Sequence, residues 1–462
     1  MLKIIMIGQI FASAPEVITE HMERVVSTWQ VIAAVVIFLV CYAFIISEKI
    51  NRSVIAMVGA LLLVSLGIVD LHDAYTKHIH WATIFLLLGM MILVGIANKS
   101  GIFQYIAIWT AKSANGDPVK ILVRLAILTA LGAAFIDNVT TVLLIAPITI
   151  AIVQVLKISP VPFLITEILI CNIGGASTLV GDPPNIMIGA AAKMTFNDFL
   201  FHITPFIVAA TALTILFLKF YYRKHLHVEE QYKQALQDIN PRDYIRDIAL
   251  AKKSLFVFAL TLVGFMTHQF LGLEPATVAM GGATLLMLIG VKESDMEGVY
   301  HTVEWITIFF FAGLFVLVGG LVDVGIIEKF AKWTLNVTGG NLTLTSFAIL
   351  WAAGIASAFV DNIPLVATMI PLINTMGDPA LDPALAEHLR TLWWSLALGA
   401  CLGGNGTLIA SSANLVVASV AVREGTPISF VEFLKISVPV TLASLALATL
   451  YVYFFFILLG LA

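Results

Sequence analysis

Charge is scarce in this chain: Asp, Glu, Lys and Arg make up 12% of its 462 residues, whereas hydrophobic residues make up 60%. Soluble domains carry about twice that charge, so a soluble globular protein is excluded, as is a basic face for nucleic acid, and the net charge of −4 selects no partner. Cysteine is nearly missing too. Cys41, Cys171 and Cys401 all stand in apolar stretches, which rules out a disulfide framework and leaves the redox compartment unread. There is no His-Glu-x-x-His, no nucleophile elbow and no phosphate loop. An enzyme is therefore not expected, and no cofactor is implied.

What the chain does have is apolar length. Runs near the bilayer-spanning length of about 17–25 residues occur around 28–46, 53–70, 82–97, 200–221, 255–273, 276–291, 305–321 and 436–460. This is an all-α polytopic membrane protein, expected in the cell membrane. Residues 1–27 form an N-terminal segment. Lys3, the apolar Ile4 to Phe11 and Ala12-Ser-Ala14 have the order of a short secretory signal, and a short interfacial helix fits the same residues.

The chain also repeats itself. Trp81-Ala-Thr-Ile-Phe-Leu-Leu-Leu-Gly89 returns as Trp305-Ile-Thr-Ile-Phe-Phe-Phe-Ala-Gly313, and Phe135-Ile-Asp-Asn-Val139 as Phe359-Val-Asp-Asn-Ile363. Both pairs share an offset of 224 (305 minus 81, 361 minus 137). Ala56-Met-Val-Gly-Ala60 recurs as Ala279-Met-Gly-Gly-Ala283, and Gly174-Gly-Ala-Ser-Thr178 with Asn185 recurs as Gly403-Gly-Asn-Gly-Thr407 with Asn414. A long duplicated unit in a lipid-soluble chain marks transporters whose substrate lies between related halves. The repeats are 28–222 and 254–462, joined by the polar linker 223–253.

That linker holds Arg223, Lys224, Lys233, Arg242, Arg246, Lys252 and Lys253, and basic residues near membrane ends mark the cytoplasmic side. Lys49 and Arg52, and the stretch with Lys99, Lys112, Lys120 and Arg124, read as cytoplasmic too. The sister stretch 322–348 has only Lys329 and Lys332, offset by Asp323 and Glu328. Opposite charge bias in sister segments predicts inverted repeats, each of about five transmembrane helices. A partner ATPase on the linker stays open.

Within each repeat two segments cannot be ordinary spans. Residues 119–155 are too long for one crossing and place Asp137 and Asn138 in the middle, followed by Pro147; a re-entrant hairpin puts that polar tip in a cavity, where irregular backbone is tolerated. Its partner is 341–376, with Asp361 and Asn362 at the tip and Pro364 and Pro371 behind. The next span, 160–190, is interrupted at Asn172-Ile-Gly-Gly-Ala-Ser-Thr-Leu-Val-Gly-Asp-Pro-Pro-Asn185, where adjacent prolines and glycines must unwind it. Gly403 to Asn414 keeps the glycines without the prolines. Unwound carbonyls and half-helix ends in apolar surroundings coordinate ions.

Asp137-Asn-Val-Thr-Thr141, Gly181-Asp-Pro-Pro-Asn185, Asp361-Asn-Ile-Pro364 and Gly403-Gly-Asn-Gly-Thr407, with Glu48-Lys-Ile-Asn-Arg52 ahead of the second span, resemble the ion transporter superfamily. The branch they look most like holds arsenite permeases, related sodium/proton antiporters and the melanosomal P protein. The resemblance covers about 28–450. It implies two re-entrant hairpins and two broken helices around a central site, in a homodimer with an elevator-like motion. It also implies binding residues Asp137, Asn138 and Thr140 at the first tip and Gly175, Thr178, Asp182 and Asn185 in the first break. Asp361 and Asn362, with Asn405, Thr407, Ser411 and Asn414, are the second set. A sodium ion would sit at Asn138, Asp182 and Asn362. Dicarboxylate symporters of the superfamily carry serine where Asp137 and Asp361 stand, which speaks against a di-acid.

Three intramembrane aspartates are costly unless functional. Sharing one cavity they would repel a dianion and suit sodium, a proton relay or a neutral polyhydroxy substrate such as arsenous acid. The bland alternative is that they cap the broken helices, as Asp does well. Cys171 and Cys401, each about a turn before a Gly-Gly pair, are either soft ligands for a trivalent metalloid or small packing residues. Glu167 and His268 are candidate proton relays, with a satisfied or interfacial histidine the plainer reading of His268. Glu48, Lys49 and Arg52 read as a turn charged for topology. Trp81 and Trp305 read as headgroup anchors, and the glycines at 89, 95, 313 and 319 as close-packing points. The expected function is proton- or sodium-coupled secondary transport, with arsenite or antimonite efflux first, sodium/proton antiport second and anion transport third. A passive channel is the competing class.

Overall fold

The computed structural model describes residues 26–47, 49–224 and 226–462. The signal-like stretch and Glu48 lie outside the described residues. Among the described residues there are helices and no strands, and eight helices are long and apolar enough to cross a membrane. The chain is a multi-pass membrane protein.

The first half runs α1 (Thr28–Ser47), α2 (Arg52–Ser65), α3 (Trp81–Lys99), α4 (Ile102–Lys112), α5 (Pro118–Phe135), α6 (Asn138–Val155), α7 (Val161–Gly175), α8 (Pro183–Ala192) and α9 (Thr204–Tyr222). The second runs α10 (Ile248–Leu271), α11 (Pro275–Gly290), α12 (Trp305–Asp323), α13 (Ile326–Thr338), α14 (Leu342–Ser357), α15 (Asn362–Met376), α16 (Leu389–Gly403), α17 (Ser412–Arg423) and α18 (Phe430–Tyr451). Each main helix thus has a sister nine places on. The second half starts at Ile248 rather than 254, because Asp247 accepts from Leu250 N and so caps α10 inside the expected linker.

Glycine sets how the halves interlock. A Cβ on Gly89 of α3 would stand 2.7 Å from the Ala279 carbonyl carbon of α11, and one on Gly313 of α12 would stand 2.6 Å from that of Ala56 of α2. Each half therefore lays its third main helix directly on the second of the other, at a separation only glycine permits. Trp81 and Trp305, half-exposed, donate their indole N–H to Tyr75 O (2.9 Å) and Tyr300 O (3.2 Å) in matching fashion.

Helices α7 and α16 form the spines of the interior. Every residue from Phe163 to Gly175, and from Thr391 to Gly403, is buried. Helices apolar on nearly every side belong in such a position, and the buried Glu167 and Asn172 of α7 are exceptions. The first spine ends at Gly175 and α8 begins at Pro183-Pro184, so the prolines open the second helix, where a missing N–H costs nothing. Helices α1, α9, α10 and α18 instead turn apolar side chains such as Phe44, Phe220, Phe256 and Leu442 outward.

The linker does not hang free. Leu236 of its helix Glu230–Asp238 is fully buried, Gln237 donates to Lys112 O at 3.0 Å, and Arg246 N donates to Ser100 O at 2.9 Å. It docks against the ends of α3 and α4.

Candidate functional site

The expected 119–155 and 341–376 elements are helix pairs that turn at the aspartates. Asp137 caps α6 by accepting from Thr140 N at 2.9 Å, and Asp361 caps α15 by accepting from Ile363 N at 3.0 Å. Capping is therefore one thing both acids do. Both turns reach the breaks in the spines. Asn138 lies so close to Gly175 that a Cβ there would overlap its Oδ1. From the other half, Asn362 Nδ2 donates to Asp182 Oδ2 at 3.2 Å. Asp182 starts α8 without capping it and is 2% exposed; both Asp137 and Asp361 lie within its electrostatic range.

The two breaks are bound to each other. Asn172 Nδ2 donates to Asn405 Oδ1 and Asn414 Oδ1, both at 2.9 Å, and Asn405 Nδ2 donates to Leu169 O at 3.0 Å. In return the Cys401 thiol lies 3.5 Å from Asn185 Oδ1. Measured from the Gly-Gly pairs, Asn172 and Cys401 are sisters, as are Asn414 and Asn185, so each spine reaches the same amide of the other half. Cys171 is not the sister of Cys401. It packs on the first tip, with its thiol 3.4 Å from Asn138 O. Both thiols thus border the polar cluster, by different routes.

Several expected binding residues hold the unwound backbone in shape. Asn185 Nδ2 donates to Thr178 O at 2.9 Å and Ala176 O at 3.1 Å; Asn414 Nδ2 does the same to Thr407 O at 3.0 Å and Gly404 O at 2.8 Å. The Thr178 hydroxyl donates to Ala134 O and that of Thr407 to Ala358 O at 2.6 Å, tying each break to the first arm of its own hairpin. Ser411 is buried at the start of α17, where it makes no side-chain cap. The amide nitrogen of Asn138 and the amide oxygen of Asn172 are buried with no partner, a state that buried polar atoms seldom keep without a ligand or a functional reason.

Charge at the cluster is unbalanced. Arg52 of α2 pairs with Asp361 Oδ2 at 3.0 Å, so this arginine does more than set topology as its sequence position suggested. Among the described residues no cationic side chain pairs with Asp137 or Asp182. Two sister cavities lie against the second arms of the hairpins, α6 and α15. One of about 360 Å³ is lined by Gly95, Thr140, Leu143, Arg246, Thr302 and Glu304; the other, of about 270 Å³, is lined at sister positions by Gly319, Ala367, His78 and His80. Glu304 lies in electrostatic range of both Asp137 and Arg52.

Reasoning from sequence missed Arg52, Asn172, Ser412 and Glu304. Asn172 had a signal, as a lone amide in an apolar helix. Glu167 is fully buried in α7, its Oε1 bonded by the Thr149 hydroxyl and its Oε2 without a partner. His268 is satisfied on one side only: its Nδ1 lies 2.8 Å from Leu273 O at the end of α10, while its Nε2 is buried without a partner.

Residues 42–399 match the family described as "Citrate transporter". The chain is 42% identical over 426 residues to the "46 kDa membrane protein" of Mycobacterium leprae, covering 91% of this chain and 98% of that one. It is 41% identical over 438 residues to an "uncharacterized transporter" of Mycobacterium tuberculosis, at 93% and 99% coverage. The P protein of Mus musculus is 32% identical over 511 residues, 93% of this chain and 61% of that one. The crystal structure of the Alcanivorax borkumensis YdaH transporter is similar in fold, with a TM-score of 0.57, 14% identity, and coverage of 93% of this chain and 98% of that one.

Proposed function

We propose, since this chain belongs to the citrate transporter family of the ion transporter superfamily, that it is a secondary active carrier driven by a proton or sodium gradient, with arsenite or antimonite as its cargo. Membrane transport follows from the family; the coupling and the cargo are our reading. One observation carries it: hairpin tips and spine breaks from both halves converge on a buried cluster in which Asp137 and Asp182 have no cationic partner. An unneutralised intramembrane acid calls for a cation or a proton. The same charge disfavours a dianion and tolerates a neutral polyhydroxy cargo.

The sister cavities support alternating access, one opening beside each hairpin. In this reading the repeats are inverted, the hairpins re-entrant and the 223–253 linker cytoplasmic, and the hairpin and broken-helix elements move as a unit in a homodimer. Sodium/proton antiport is the second reading, favoured by the same two acids without a larger cargo.

Proteoliposome flux of arsenite, sodium and citrate, compared in parallel under separate pH and sodium gradients, tests this. Steep dependence of arsenite flux on one gradient is expected; passive flux indifferent to both would make the protein a channel. Cys171→Ser with Cys401→Ser separates thiol ligation from packing, and unchanged arsenite flux would remove the thiols from the site. Gly175→Ala should displace Asn138, whose Cγ would lie 2.9 Å from the new methyl. A strained or lost contact of about 1–2 kcal/mol lowers apparent cation affinity roughly tenfold, read as a shift in half-saturation.

A further inference from the structure

We infer that Arg52 is a resident cation, a tethered guanidinium that fills in the second half the place left, in the first half, to an exchangeable ion. The inference rests on the proposed reading of Asp137 as a cation-binding acid.

The two tip acids are sisters with the same local geometry, since each caps the second helix of its hairpin. Their surroundings differ. Asp361 Oδ2 accepts from the Arg52 guanidinium at 3.0 Å and from Ser412 Oγ at 2.6 Å, while Arg52 also donates to Ser412 Oγ at 2.6 Å. The guanidinium carbon stands 4.9 Å from the centre of the Phe310 ring, within cation–π range. Arginine, acid, hydroxyl and ring close into one set.

None of those partners has a counterpart beside Asp137. Counting by the repeat offsets, the sister of Ser412 is Pro183, which has no hydroxyl, and that of Phe310 is Leu86. The sister of Arg52, at the start of α11, is Pro275. Three separate substitutions on three helices thus remove the whole seat from one half and keep it in the other. An arginine is suited to the task because it stays charged whatever the pH. Asp361 is neutralised by the chain itself, and the ion taken from solution is left with Asp137 and Asp182.

The test is a melting experiment on the full chain in lipid nanodiscs, with guanidinium chloride titrated against choline chloride at equal ionic strength. Arg52→Ala should lower the melting temperature by roughly 2–6 °C, as for a partly buried, charge-assisted pair broken on one side. Guanidinium, and not choline, should restore most of that loss. Arg52→Ala combined with Asp361→Asn should melt near wild type and ignore guanidinium. Wild-type melting by Arg52→Ala, or a stabilisation by guanidinium that survives Asp361→Asn, overturns the inference. If Arg52→Ala fails to fold, the double variant decides. Recovery supports a charge seat, whereas continued failure makes Arg52 a packing residue through Phe310 and overturns it. These melts need no flux. Guanidinium rescue alongside wild-type flux indifferent to gradients would retire the coupled-carrier reading and keep the resident cation.

Discussion

Asp137→Asn should eliminate gradient-driven flux and leave melting close to wild type. Asparagine caps a helix about as well as aspartate, so the bond from Thr140 N to the tip survives and only the charge is removed. If capping were the whole role of Asp137, flux would persist. If the carboxylate holds the coupling ion, removing one partner of a buried charge pair costs about 3–5 kcal/mol, or roughly 10²- to 4 × 10³-fold in ion affinity. Asp182→Asn should match it, and there the contrast is cleaner because Asp182 caps nothing. Asp361→Asn should also abolish coupled flux, by leaving Arg52 without its anion. Wild-type rates in Asp137→Asn and Asp182→Asn together would remove these acids from the mechanism.

Gly313→Val should cost the assembled protein rather than its transport rate. The Cβ it introduces would meet the Ala56 carbonyl carbon at 2.6 Å and Met57 N at 2.7 Å, and these are backbone atoms that cannot swing aside. Gly89→Val meets Ala279 and Met280 in the same way. Overpacking costs about 1–3 kcal/mol where side chains can adjust, and here two helices must part, so a loss at or above the upper end is expected. Folded yield and melting temperature in detergent read it directly. Gly281→Ala is the control. It lies on α11 near the same crossing, yet its Cβ would meet nothing within 4 Å, so it should be neutral or stabilise by up to about 1 kcal/mol through helix propensity. Equal damage from Gly281→Ala would mean that helix backbone, not close approach, governs these positions.

Much of the architecture was legible because duplication writes itself twice at nearly constant spacing. The turn at Asp137 between α5 and α6, its sister at Asp361, and the unwound stretches after Gly175 and Gly403 all lie where glycine, proline and isolated polar residues interrupt apolar runs. Such interruptions are local and can be read in one pass. The cluster around them was less legible. Arg52 stands 309 residues from Asp361, in a turn whose charge has an adequate explanation in topology. Cys171 and Cys401 looked like a matched pair by their distance from the glycines, whereas in space Cys401 answers to Asn172. Asn185 and Asn414, expected as binding residues, spend their amide donors on the carbonyls of the breaks.

The order of residues by itself determined that this protein lives in lipid, that it is built twice, and where each copy breaks its helices, because hydropathy and backbone propensity act over a few turns of chain. Only the tertiary structure decided that the copies are unequal at their acids. Pairing between a guanidinium and a carboxylate depends on a separation of a few ångströms between helices remote in sequence, and that separation is set by how α2, α12, α15 and α17 pack together.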